Sequence, residues 1–174
     1  MSIKNGSSGD SLAGLVSKGN KIPYAFTGML SDAEAYEKVS GLALPGSQPV
    51  VLISDITQLY DYVTRIPDLT WDLMEFAEKP LTLVLKGKNL PDGFLSSEGD
   101  MHISLIKEPV MLNYMKKDRK GFFYLPVDSN RLFSGDEGEI LSPTQNVIIL
   151  REEFLNASQA KTARLDMDGT IKFL

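Results

Sequence analysis

The sequence predicts an α/β fold of the α+β type: one layered domain on a twisted sheet that mixes parallel and antiparallel strands. Three observations carry this. Short β-branched apolar runs such as Val50–Ile53 alternate with segments of helical periodicity. The pair Asp168-Gly169 stands between two alternating segments near the end, a hairpin signal. No internal repeat and no linker divides the 174 residues, a length that suits a single core. Strands alternating with helices favour parallel pairing, and the closing hairpin adds an antiparallel one.

Taken in order, residues 1–10 are polar and Gly/Ser-rich and are expected to be a flexible N-terminus, with residues 11–174 forming the domain. Ser11 to Ser17 reads as a short helix ended by Gly19, and Ile22 to Thr27 as a strand. Ser31 and Glu34 form a capping box that opens a helix stopping near Gly41. Val50 to Ile53 is a buried strand. Asp55 caps the next helix, with Ile56, Leu59, Tyr60 and Val63 on one face. A helix from about Thr70 to Ala77 directs Trp71, Met74 and Phe76 to the core. Leu81 to Leu85 and Ile103 to Ile106 are strands, Pro109 to Lys117 a helix, and Phe122 to Val127 and Val147 to Leu150 strands. Arg164 to Met167 and Thr170 to Phe173 flank the final turn.

Composition excludes several classes of function. With 23 acidic against 18 basic residues the formal charge is −5, which argues against strong non-specific phosphate binding while leaving room for a local basic pocket. There are no cysteines, so disulfides and thiolate chemistry are out, and the single histidine, His102, rules out a site needing two imidazoles. No apolar run approaches the ~20 residues of a membrane span. Nothing at the N-terminus reads as a signal peptide, so a cytoplasmic location and no membrane partner are expected.

Four segments, in order, resemble the YrdC-like family, which includes the threonylcarbamoyl-adenylate synthases. They are Gln48-Pro-Val-Val-Leu-Ile-Ser-Asp55 with the helix carrying Gln58-Leu59, and Lys79-Pro-Leu-Thr-Leu-Val-Leu85. The third is Leu125-Pro-Val-Asp-Ser-Asn130 with Ser134-Gly135 and Ser142-Pro-Thr144; the last is Thr162-Ala-Arg-Leu-Asp-Met-Asp-Gly169. The resemblance implies a mixed sheet around a concave cavity. It also implies an enzyme that joins threonine, bicarbonate and ATP for tRNA modification.

The chain departs from that family where nucleotide is handled. Leu42 and Leu44 stand in place of the Lys-x-Arg cations, and Pro23-Tyr-Ala-Phe-Thr-Gly28 is a remnant of the N-terminal threonine-rich segment. Leu105 stands for an arginine and Lys107 for a proline, Asp128 for a serine, and Glu152 and Glu153 for paired glycines. An aspartate repels phosphate, and loss of charge-assisted bonds costs about 1.5–3 kcal/mol each.

The resemblance gives Thr82, Asp128, Asn130 and Thr162 as ligand-binding residues; read on their own they are ordinary strand and turn residues. Lys116, Lys117, Arg119 and Lys120 form the densest basic run. It is a candidate nucleic-acid patch, or a solvated helix C-terminus ended by Gly121. Asp166 and Asp168 read as turn residues rather than a metal pair, Asp136-Glu-Gly-Glu139 as a solvated loop, and Met111 with Met115 as core packing. His102 reads as structural. No catalytic residue and no metal site is assigned.

The expectation is a divergent YrdC-like domain, non-catalytic or altered, that binds a nucleotide, RNA or small ligand in a concave pocket. One alternative is an active synthase using ATP with Mg, with relocated cations at Lys18, Lys38 or Lys86. The other is a structural or interaction domain, favoured if Leu42 and Leu44 form an exposed apolar patch. No cofactor is expected unless the synthase alternative holds.

Overall fold

Strands of strong β-propensity build most of the architecture in this computed structural model, which describes residues 24–78, 81–116, 120–127, 133–134, 139–140, 147–151 and 161–174. The strands are β1 (Tyr24–Met29), β2 (Val50–Ile53), β3 (Leu81–Lys86), β4 (Asp100–Leu105), β5 (Phe122–Val127), β6 (Phe133–Ser134), β7 (Glu139–Ile140), β8 (Val147–Arg151), β9 (Lys161–Leu165) and β10 (Ile171–Phe173). The helices are α1 (Ala33–Ser40), α2 (Leu59–Tyr62), which follows a 3-10 turn at Ile56–Gln58, α3 (Leu69–Phe76) and α4 (Pro109–Met115).

Eight strands form one sheet in the order β10-β9-β3-β4-β2-β5-β1-β8, while β6 and β7 pair separately. Two joints, β2 with β4 and β3 with β9, are parallel; the rest are antiparallel. The α/β class with a mixed sheet is therefore as expected. The final hairpin is also present: Asp168 Oδ1 accepts from the Thr170 amide at 2.8 Å, and Gly169 takes a φ of +89°. Its strands begin three residues and one residue away from the expected ones, because β9 is fixed by pairing with β3 and not by the turn alone.

Alternation sorts the strands into two faces. One face carries Val51, Ile53, Leu83, Leu85, Met101, Ile103, Phe123, Leu125, Ala163 and Leu165, all buried in the main core with Tyr36, Val39, Leu59, Met74 and Phe94. Tyr36 of α1 packs its ring edge-on to Phe123 at 5.3 Å and against Phe94 at 4.6 Å.

Local details differ from the sequence reading. Asp32, not Ser31, caps α1, accepting from the Ala35 amide at 3.0 Å. Asp55 caps as expected, but the capping box with Gln58 opens a 3-10 turn before α2. Tyr60 is 63% exposed and lies against Trp71 rather than entering the core, and Phe76 is 72% exposed at the end of α3, where Met74 turns inward instead. The helix after β4 ends at Met115, short of Lys117. Gly121 is not a helix stop: a Cβ there would lie 2.9 Å from both Leu30 and Tyr62, and its amide donates to the Tyr62 hydroxyl at 2.8 Å. The Ser11–Ser17 helix lies outside the described residues.

The fold predicts a sharp contrast between two phenylalanines. Phe123→Ala, at a fully buried position, should cost about 3–5 kcal/mol in chemical denaturation. Phe76→Ala should change stability by about 0.5 kcal/mol or less. Equal effects would contradict the assignment of faces.

Candidate functional site

The second face of the sheet is chemically different. Across it the register aligns Thr27 (β1), Tyr124 (β5), Val50 (β2), His102 (β4), Val84 (β3), Arg164 (β9) and Lys172 (β10) in one row. The adjacent row runs Met29, Phe122, Leu52, Ser104, Thr82 and Thr162. On the other side of the first row, Asp100 and Lys86 are partners. Serine, threonine and charged residues therefore concentrate at β4, β3 and β9, opposite the apolar core.

These groups are largely withdrawn from solvent. Thr27, Thr82, Asp100 and Ser104 are buried, and the Ser104 hydroxyl donates to the Leu81 carbonyl at 3.0 Å. Two atoms on the first row, Thr27 Oγ1 and His102 Nδ1, are buried with no hydrogen-bond partner among the described residues. Three strand spacings separate them, about 14 Å. Burial, with the Arg164 charge adding to it, pushes the His102 imidazole below its ordinary range against the opposing pull of Asp100. At neutral pH it is an uncharged ring with one nitrogen free to bond.

Charge is concentrated at one end. Asp100, its side chain 9% exposed, receives Lys86 Nζ on Oδ1 at 2.8 Å and Arg164 Nη1 on Oδ2 at 2.8 Å. Lys86 Nζ also donates to the Glu98 carbonyl at 3.0 Å. Burial alone would push the Asp100 carboxyl up, but the bonds and charges of Lys86 and Arg164 outweigh it and hold the group below the usual carboxylate range.

Of the residues expected from sequence, Thr82 and Thr162 are brought together as direct partners across the parallel β3·β9 joint. Asp128 and Asn130 lie outside the described residues, as do Glu152 and Glu153. Lys116 and Lys120 are exposed at the α4–β5 connection, and Lys117 and Arg119 lie outside the described residues. The start of β5, which follows Lys120, is three strand positions from Thr82 in the sheet.

Leu105 does not lie on the polar face: alternation sends it to the core, where it packs, and places Ser104 on the polar face instead. Leu42 also packs against the core, so it does not share an exposed patch with Leu44. Lys38 pairs with Glu34 at 3.1 Å on the outer side of α1. Sequence reasoning missed Arg164, Lys86 with Asp100, and the unpartnered Thr27. The period-two spacing of Thr162 with Arg164, and of Thr82 with Lys86, was the available signal.

Acid titration tests the Asp100 cluster. Its folded pKa lies below the unfolded value of about 3.9. Its contribution is therefore complete above that value and disappears as pH falls through the folded value. Asp100→Asn should cost about 1–2 kcal/mol at pH 7. In denaturant melts between pH 7 and 2.5 it should lose stability less steeply below about pH 4 than the wild type. Parallel curves would contradict the cluster.

The sequence matches no family model and no curated protein sequence. Among solved structures, the chain is similar to full-length HypF, crystallised in its phosphate- and nucleotide-bound form. The TM-score is 0.52 at 12% identity, covering 85% of this chain and 24% of the HypF chain. The chain thus spans about a quarter of that protein, which contains a YrdC-like domain. No described helix is long and apolar enough to cross a membrane. At this identity the likeness bears on architecture alone: the chain has a single-domain α/β fold with a mixed sheet, consistent with a YrdC-like fold.

Proposed function

We propose that this is a divergent YrdC-like domain that binds a nucleotide on the polar face of its sheet, without ordinary threonylcarbamoyl-adenylate synthase chemistry. The observation that carries the reading is the pair of buried, unpartnered polar atoms, Thr27 Oγ1 and His102 Nδ1, on one row of that face. A buried polar atom left unpaired costs about 1–3 kcal/mol, which a bonding ligand recovers. Thr82 and Thr162 stand on the next row and carry hydroxyls of a kind suited to sugar and phosphate oxygens, while the Ser104 hydroxyl beside them is committed to the Leu81 carbonyl. The fold likeness to HypF, whose structure was solved with phosphate and nucleotide, supports the ligand class.

Two observations weigh against full synthase activity. Lys38 is paired with Glu34, and Lys86 is held by Asp100, so in the unliganded chain neither stands open in place of the absent Lys-x-Arg cations. The purely structural alternative loses support because Leu42 is packed rather than exposed with Leu44. RNA binding at the basic run has only the exposure of Lys116 and Lys120 in its favour.

Titration with ATP and magnesium, read by calorimetry and thermal melting, tests the proposal. Saturable binding is expected, with stabilisation of about 2.7 kcal/mol at 100 times the dissociation constant. Threonine and bicarbonate should add nothing, and no pyrophosphate should be released. Absence of any shift at millimolar ATP would overturn nucleotide binding. Synergy with threonine would restore the synthase reading.

A further inference from the structure

The charged end of the polar face has a property that its composition alone does not suggest. Lys86 and Arg164 come from β3 and β9, two adjacent parallel strands, on the same face as Thr82 and Thr162, with Arg164 two residues from Thr162 and Lys86 four from Thr82. Both meet the same carboxylate, one on each oxygen, at 2.8 Å. A carboxylate held this way presents two oxygens to two cations, as a phosphate group does. Asp100 belongs to the middle strand β4 and is nearly closed to solvent, whereas both cations are partly exposed, with side chains 56% and 37% accessible. The cations therefore face outward and the carboxylate holds them from beneath. The remaining charges around them are one cation and two anions: Lys172 stands in register with Arg164, while Glu98 and Asp166 act on Arg164 with the opposite sign.

We propose that Asp100 is a built-in competitor for phosphate: its carboxylate occupies the Lys86–Arg164 cation pair, and a ligand phosphate engages that pair by displacing it. The proposal rests on the reading of this face as a nucleotide site and names the residue that sets its affinity for anions. In the unliganded chain the carboxylate takes the place of the ligand's anionic group. The site then favours ligands that bring hydroxyls as well as charge, because a bare anion must give up the cost of breaking both ion pairs.

The test compares wild type with Asp100→Asn in calorimetric titrations with inorganic pyrophosphate and with ATP. Asparagine keeps the size and one acceptor while removing the charge. Asp100→Asn should bind pyrophosphate about tenfold more tightly, which is about 1.4 kcal/mol, and the gain should shrink as salt screens the cations. Adding Arg164→Gln to Asp100→Asn should remove most of the gain, a coupling that a merely structural role for Asp100 would not produce. If Asp100→Asn melts too low to titrate, Asp100→Ser carries the same expectation. Unchanged or weaker pyrophosphate binding by the variant, with wild-type ATP binding intact, overturns the proposal and leaves the nucleotide site standing. Failure of both proteins to bind ATP or pyrophosphate overturns both.

Discussion

Two parallel joints, β2 with β4 and β3 with β9, determine everything else about this molecule. Each is set inside a run of antiparallel pairs, so β4 has one parallel and one antiparallel neighbour, and so does β3. Register at these joints decides which residues share a face, since a one-residue slip would send every side chain of a strand to the other side. The apolar set Leu83, Leu85, Met101, Ile103, Ala163 and Leu165 can be buried together in one register only. That same register forces Thr82, Thr162, Ser104, His102, Asp100, Lys86 and Arg164 onto the opposite face. The polar face is thus the obligatory counterpart of the core.

Placing so many polar groups on a buried or half-buried face has a cost, and the structure meets it in two ways. Where charge is present, opposite charge is placed in contact: Asp100 takes both Lys86 and Arg164, and burial that would otherwise neutralise its carboxyl is outweighed. Where only dipoles are present, some bond locally, as Ser104 does with the Leu81 carbonyl, and some are left open. Open groups inside a folded chain are rare enough to need an explanation. The ligand proposed for this face would account for Thr27 and His102 together, since both lie on a single row, though not for Ser47 Oγ and Thr70 Oγ1, which are also unpartnered and lie outside the strands.

Much of this was legible in the sequence, and the rest was not for definite reasons. Val50–Ile53, Phe122–Val127 and the Asp168-Gly169 turn carry their structure locally, through β-branching, aromatic content and positive φ, and they stand where expected. Thr82 and Thr162 rest on the family resemblance alone; that they are neighbours follows from the β3·β9 register, whereas the residue pattern begins that strand only at Arg164. Tertiary choices were hidden. Whether Leu105 or Ser104 lies on the polar face depends on β4 being held between β2 and β3, and a motif comparison shifted by one residue inverts the answer. Gly121 looks like a helix stop in sequence, but its missing side chain makes room for Tyr62 and Leu30, contacts distant along the chain. The Asp100 cluster joins β3, β4 and β9, and no local pattern announces it.

The account stands or falls on the polar face being the place where a ligand binds. The chain has a single histidine, and it lies in the middle of that face, so one imidazole proton resonance reports on the site without any substitution. Titration of the intact protein with ATP and magnesium should move the His102 Cε1 proton signal saturably, with the midpoint found by calorimetry. Calorimetric binding that leaves this resonance in place, or no binding at all, would contradict the account.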